Sequence, residues 1–291
     1  MTHQQMTNRA GLEFPDPGFQ RAGRFALEAL FRLPLPIRES LLFSSSAVCL
    51  PFQKLLQRLL GGAFVIQARF TEGPLSTYYF ECRSPEKYFM LGSGIEPEVQ
   101  QLVTELVQPG DTIFDIGAHV GCMALLFSTL CGQKGHVFAF EPSPSNFLRL
   151  KHNLDLNPVV RITPVQVAAS DKECTSRFLE NGSMSSIVRE EAKELDGATY
   201  TDIRSIRLDD FVYRDRNPPP NLVKIDIEGY AGPCMRGMRR ILRECRPSIV
   251  LEVHHKAESG EVMRFLQEYR YHSETIGARN EFPRHLIATP R

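Results

Sequence analysis

The sequence predicts an α/β protein: a doubly wound, mostly parallel sheet over residues 87–291, behind a small helical and hairpin extension over residues 1–86. Two observations predict it. From about residue 95 onward, short runs of β-branched and aromatic residues alternate with amphipathic runs at helical spacing, the pattern of strands joined by crossover helices. One strand-to-helix junction also carries a glycine turn, and a second strand ends in an acid about 20 residues further on, as in nucleoside-binding sheets.

Each element has its own signal. The first 20 residues are polar and hold Pro15, Asp16, Pro17 and Gly18, which predicts a loose tail. Phe25, Leu27, Leu30, Phe31 and Leu33 predict a short helix ended by Pro34 and Pro36. A second helical piece over 55–60 is stopped by Gly61 and Gly62. Residues 64–70 and 77–82, around Glu72-Gly73-Pro74, predict a β-hairpin. Pro97 opens a helix to Val107 with Val99, Leu102, Val103 and Leu106 on one stripe, and Pro109-Gly110 ends it. Strands follow over 112–116, 136–140, 162–167, 222–227 and 248–253, with helices over 123–130, 147–154, 235–243 and 263–269. Residues 202–208 are strand-like within an irregular stretch, and 271–276 with 285–288 predict a closing antiparallel pair.

Composition excludes several function classes. The 42% hydrophobic and 23% charged content is ordinary for a globular chain. Lys plus Arg balances Asp plus Glu at 34 each, so no bulk charge is available to hold nucleic acid or an anionic membrane. Seven scattered cysteines with no C-x-x-C pair argue against a zinc site or disulfide framework and for a reducing compartment; no metal is expected. The uncharged stretch from Ser40 to Gln53 is too short and too broken to span a membrane, and no signal-peptide order is present. A cytoplasmic location is the resulting expectation.

The strongest motif is Asp115-Ile116-Gly117-Ala118-His119-Val120-Gly121 after the 112–116 strand. Glycines there allow a tight turn and close approach of backbone to ligand. Glu141, ending the next strand, suits the two hydroxyls of a ribose. The spacing is G-x-x-x-G rather than G-x-G-x-x-G, and Asp115 stands just before it. An anion at that loop repels a pyrophosphate and suits a cationic ligand, which disfavours a nicotinamide oxidoreductase and favours S-adenosylmethionine. In Lys224-Ile225-Asp226-Ile227-Glu228-Gly229, the charges fall on alternate positions of a strand that ought to be apolar, where they are costly unless paired or used. Glu252-Val253-His254-His255 ends another strand, and either histidine suits proton transfer.

Together these segments resemble the FkbM-type methyltransferase family. The matching residues are Phe114 to Gly121; Ala139-Phe140-Glu141-Pro142-Ser143-Pro144 with Asn146, Leu150 and Asn153; Ala168-Ala169-Ser170-Asp171; Leu208-Asp209-Asp210-Phe211; Lys224 to Gly229; Arg236-Gly237; and Pro247. The resemblance implies a class I methyltransferase, Rossmann-like, with a seven-stranded sheet whose last strand is antiparallel. By position it implies that Asp115, Gly117, His119 and Gly121 line the methionine end of the cofactor. Glu141 and Pro142 would then lie at the ribose, Ala169, Ser170 and Asp171 near the adenine, and Asp226 by the reacting methyl. One departure stands out: where the family often reads E-G-x-E, this chain has Ala231 in place of the last acid.

The expected activity is S-adenosylmethionine-dependent O-methylation of a small-molecule or glycan hydroxyl. Asp226 or His254 would be the base, with Glu228 and Lys224 tuning the site. The alternative, motivated by Ala231, is a catalytically altered protein of the same fold that binds the cofactor and acts as a scaffold or regulator.

Overall fold

The computed structural model describes residues 66–69, 75, 78–82, 96–158, 160–180, 186–187, 199–277 and 282–291. The chain divides into two compact units, residues 1–95 and 96–291. In the first, β1 (Ile66–Arg69) and β2 (Tyr79–Cys82) pair antiparallel with Ile66 opposite Cys82, the hairpin that the aromatic and β-branched runs predict. The tail and the two helical pieces expected before it lie outside the described residues.

The second unit begins with α1 (Pro97–Leu106), β3 (Thr112–Ile116), α2 (Cys122–Cys131), β4 (His136–Phe140), α3 (Pro144–Asp155) and β5 (Ile162–Val165). Next come β6 (Ala168–Ala169), β7 (Cys174–Glu180), β8 (Ser186–Ile187) and β9 (Thr199–Ile206). The chain ends with β10 (Leu222–Ile225), α4 (Ala231–Arg236), α5 (Arg239–Glu244), β11 (Ser248–Val253), α6 (Lys256–Glu268), β12 (Tyr271–Ile276) and β13 (Arg284–Pro290). The main sheet has seven strands in the order β12-β13-β11-β10-β3-β4-β5. Strands β11, β10, β3, β4 and β5 run parallel, while β13 is antiparallel to both its neighbours. This is the mostly parallel sheet with an antiparallel last strand that the resemblance implies.

The central parallel strands β3, β4 and β11 are buried over most of their length, β10 is covered along its whole length, and the edge strand β5 is half-buried to exposed. Phe114, Phe138 and Phe140 from neighbouring strands meet Phe211 edge to face, with ring centroids 5.1–5.7 Å apart. Such pairs add roughly 0.5–1.5 kcal/mol each beyond their buried area, and Phe211 is thereby fixed over the centre of the sheet.

Besides α6, which begins at Lys256 rather than at the expected residue 263, three features differ from the sequence expectation. The irregular stretch folds into a second sheet, β6-β9-β7-β8, over a small core of Ala168, Phe178 and Ile203. The helix expected over 235–243 is broken in two. Gly237 lies so close to the Ser170 carbonyl that a Cβ would not fit, and both Asp209 oxygens accept backbone N–H groups at the start of α5, from Arg240 and Ile241 at 2.9 Å each. Finally, β10 stops at Ile225 instead of reaching residue 227. Glu228 (φ 34°) and Gly229 (φ 79°) adopt left-handed backbone there and turn the chain into α4. No helix among the described residues is long and apolar enough to cross a membrane.

Candidate functional site

The glycine turn sits at the carboxyl end of β3, where a parallel sheet opens a crevice between diverging helices. Its conformation demands glycine: Gly117 and Gly121 have φ of 83° and 96°. A Cβ on Gly117 would strike the carbonyl of Asp226, and one on Gly121 would lie 2.6 Å from Leu150. The turn is braced by the neighbouring strand and helix. Gly117 N and Ala118 N both donate to the Phe140 carbonyl, and Asn153 donates to the Val120 carbonyl at 2.8 Å. Leu150 and Asn153, conspicuous in the sequence only as motif members, thus hold the turn from α3.

Glu141 leaves the end of β4 and returns to this turn. Its carboxylate accepts from His119 N at 2.8 Å and Ser143 N at 2.9 Å. It is buried, and burial pushes its pKa up to about 7 despite those two hydrogen bonds. Asp115 is wholly buried, and neither oxygen has a hydrogen-bond partner. Burial raises its pKa to about 6, against the attraction of Lys224. Asp115 lies near the end of β3, and Glu141 just past the end of the adjacent parallel strand β4.

Strand register builds the second half of the site. Asp115 pairs with Lys224 across β3 and β10. Alternation puts Lys224 and Asp226 on one side, and Lys224 Nζ donates to Asp226 Oδ2 at 2.9 Å. Although Asp226 lies just past the strand, its N–H continues the ladder to the Ile116 carbonyl at 3.0 Å. Burial opposes its charge, but Lys224, Glu252 and His254 hold its carboxyl down to about 2. Lys224 is buried; its desolvation is overcome by Asp226, Asp115 and Glu96, which hold its pKa above the ordinary value.

His254, beyond β11, is held on both nitrogens. Nδ1 accepts from Gly229 N at 3.3 Å, while Nε2 faces Glu228 at 3.3 Å and Glu252 at 3.5 Å. Burial works against its protonation, yet Glu258, Glu228 and Glu252 raise its pKa. Glu228 is itself raised by burial. Glu252 is pushed up to about 7, first by burial and then by Asp226, with which it shares a hydrogen bond.

The adenine-side expectations fall together but in a different state. Ala169 ends the short strand β6 and Ser170 follows it, with Ser170 Oγ 3.3 Å from the Tyr230 hydroxyl. Asp171 is held by Arg236 at 2.8 Å, so its carboxylate is already engaged. Pro142 links Glu141 to Ser143, whose hydroxyl caps α3 by accepting from Asn146 N at 3.2 Å. His255 is a helix cap: its Nδ1 accepts from Glu258 N at 3.2 Å at the start of α6.

Four carboxylate and imidazole groups escaped the sequence reading. Glu252 was passed over for the histidines beside it. Glu96, Glu258 and His285 come from α1, α6 and β13, and only long-range pairing, such as Glu252 opposite His285, brings them in. Glu258 bears on the missing acid. Ala231 is buried at the start of α4, and its N–H donates to Glu258 Oε1 at 3.0 Å, while Glu258 Oε2 accepts from His254 N at 2.8 Å.

Comparison with known proteins falls on this same segment. The sequence profile of the Methyltransferase FkbM domain matches residues 115–273, from the acid of the glycine turn through β12. The chain belongs to the FkbM methyltransferase family. It is an S-adenosylmethionine-dependent methyltransferase. It is similar to the hexuronic acid methyltransferase AglP of Haloferax volcanii, 28% identical over 179 residues that span 62% of this chain and 71% of the relative. Among solved structures it matches methyltransferase FkbM from Methylobacillus flagellatus KT with 18% identity and a TM-score of 0.47, over 65% of this chain. The match spans 50% of that longer protein. It also matches fibrillarin from Aeropyrum pernix, solved with natively bound S-adenosylmethionine, with 13% identity and a TM-score of 0.45 over 78% and 89% of the two chains.

The crevice fits this cofactor. Its turn offers close backbone approach, Asp115 is a buried anion lacking a partner, and Glu141 is a second acid at the end of the adjacent strand. When bound, S-adenosylmethionine supplies an electrophilic methyl group on a positively charged sulfur.

Proposed function

We propose that this FkbM-family methyltransferase methylates a hydroxyl group of a sugar-type acceptor, holding its donor between the glycine turn and Glu141. The observation that carries the reading is the meeting of two turns. Gly117 packs directly on the Asp226 backbone, so the glycine turn and the Lys224–Asp226 pair lie side by side at the carboxyl ends of β3 and β10. In this arrangement Asp115 attracts the ammonium end of the donor and Glu141 grips the ribose hydroxyls. Ala169 and Ser170 line the adenine end, with Tyr230 beside them. The relative that acts on hexuronic acid supports a sugar acceptor.

The hydroxyl proton goes to the Glu228–His254 pair. Asp226 is a weak proton acceptor, because Lys224 holds its carboxyl down to about 2; its part is to place charge beside the reacting centre. Glu228 and His254 lie 3.3 Å apart, and both have pKa values raised above the ordinary ones, Glu228 by burial and His254 by its carboxylate neighbours, which makes the pair a stronger proton acceptor than Asp226. Glu252 and Glu258 stabilise the cation that forms on the ring.

Labelled methyl transfer from S-adenosylmethionine to hexuronic-acid oligosaccharides tests the reading. We expect product whose label resists saponification as an ether does, and a 10²–10⁴-fold loss of kcat in His254→Gln and Glu228→Gln with donor affinity retained. Label found as a saponifiable ester, or on protein alone, would overturn hydroxyl methylation of a sugar. A scaffold role would show as tight donor binding with no label transferred to any fraction of a cell extract.

A further inference from the structure

A second group of donor atoms lies beside the methyl-transfer crevice, in the row that register extends from Asp226 to Glu252 to His285. His285 Nε2 stands 3.8 Å from Glu96 Oε2 and 3.8 Å from Glu252 Oε1. Those separations are too long for hydrogen bonds. Moreover, Glu96 Oε2 and His285 Nε2 are both sealed from solvent and have no hydrogen-bond partner among the described residues. Buried polar atoms are almost always satisfied, and each orphan calls for an explanation such as an ion. Here two orphans, one a carboxylate oxygen and one an imidazole nitrogen, face a shared third donor across a gap.

We propose that Glu96, Glu252 and His285 form a divalent-cation site. The three ligand atoms lie within 4.8 Å of one another. Donors 3.8 Å apart, each about 2.1–2.2 Å from a common ion, subtend roughly 120–130° and leave positions for outside ligands. The three residues come from separate elements: Glu96 precedes α1, Glu252 is on β11 and His285 on β13. Glu96 sits at a helix start yet makes no cap hydrogen bond with its side chain, which is turned to His285 instead. A second possible trio, Asp226, Glu252 and His254, shares Glu252. It is already engaged, since Asp226 binds Lys224 and His254 Nδ1 accepts from Gly229. Glu96 Oε2 and His285 Nε2 of the first trio have no such hydrogen bonds, so the ion is assigned there.

Two carboxylates and one imidazole suit Mn²⁺, Fe²⁺ or Zn²⁺ better than Mg²⁺ or Ca²⁺, which favour all-oxygen shells. Because Glu252 Oε2 also reaches His254, the ion adjoins the proton-accepting pair. There it would bind neighbouring oxygens of the acceptor. That role rests on the methyl-transfer reading; binding of the ion does not.

The test is Mn²⁺ binding by electron paramagnetic resonance, on full-length protein stripped with EDTA, with no donor or acceptor present and folding checked by circular dichroism. We expect one Mn²⁺ per chain, displaced by Zn²⁺. Affinity should fall at least tenfold in His285→Gln and in Glu96→Gln, and stay within twofold in His272→Gln, whose ring lies in an exposed pair with Glu274. A folded wild-type protein that takes up neither ion, or binding undiminished in both variants, would overturn the site. Failure of methyl transfer appears in the labelling assay and leaves this result untouched.

Discussion

Asp115→Asn separates what the fold wants from what the donor needs. Asp115 is wholly buried with neither oxygen hydrogen-bonded, and burial raises its pKa from 3.8 to about 6. At 1.36 kcal/mol for each pKa unit, that change costs the folded protein about 3 kcal/mol at pH 8. The sign follows from proton binding. Between the two pKa values the folded state holds a proton that the unfolded state has released. The carboxyl therefore costs nothing well below 3.8, about half the full amount at pH 5, and the full amount above pH 7. Asn has the shape of the neutral acid and carries no charge. The variant should unfold roughly 5–10 °C higher than the parent at pH 8, with a clearly smaller gain at pH 5. Its affinity for S-adenosylmethionine should fall at least tenfold in calorimetry, since the anion facing the ammonium is gone. The paired measurement is thermal unfolding at the two pH values. A lower midpoint for the Asn variant at pH 8, or an equal gain at both pH values, would refute the claim that burial of the Asp115 charge outweighs the attraction of Lys224.

Glu141→Ala should weaken donor binding about 100-fold, the loss of two hydrogen bonds to a charged acceptor at about 1.5 kcal/mol each, read by calorimetry. Gly117→Ala should cost several kcal/mol in urea unfolding, because left-handed backbone alone costs about 1–2 kcal/mol and the new methyl meets the Asp226 carbonyl. Glu258→Ala strips the partner from two backbone donors, Ala231 N and His254 N, at roughly 1–3 kcal/mol each. It also removes a carboxylate that raises the His254 pKa, so the rising limb of the pH–rate profile should move to lower pH.

What could be read in the sequence was local. The glycine turn, the acid after it and the strand–helix alternation each occupy a few consecutive residues, and their physics needs no distant partner. What could not be read depended on pairing between distant segments. The second sheet escaped because β7 alternates exposed and half-buried positions over most of its length, leaving little apolar signal. Glu252, Glu96 and His285 look like ordinary surface charges until β11 and β13 pair. Lys224 and Asp226 were singled out as alternating charges on a strand, yet the strand ends between them. Their contact survives because the Asp226 N–H keeps its ladder hydrogen bond to Ile116.

Ala231 shows how a motif can change while its physics stays. Position 231, where the family usually has an acid, stands at the start of α4 in this chain, where free N–H groups favour a carboxylate. In this chain the helix start still receives one, from Glu258 on α6, and a single carboxylate joins the Ala231 and His254 N–H groups. Two features mark this as a working replacement. Glu258 is buried, and its pKa is held below the ordinary value even though burial pulls the other way, so the charge is satisfied by its partners. Its second oxygen, meanwhile, fixes the backbone of the residue paired with Glu228. Glu258 on α6 therefore ties the end of β11 to the turn after β10, the two segments that carry His254 and Glu228.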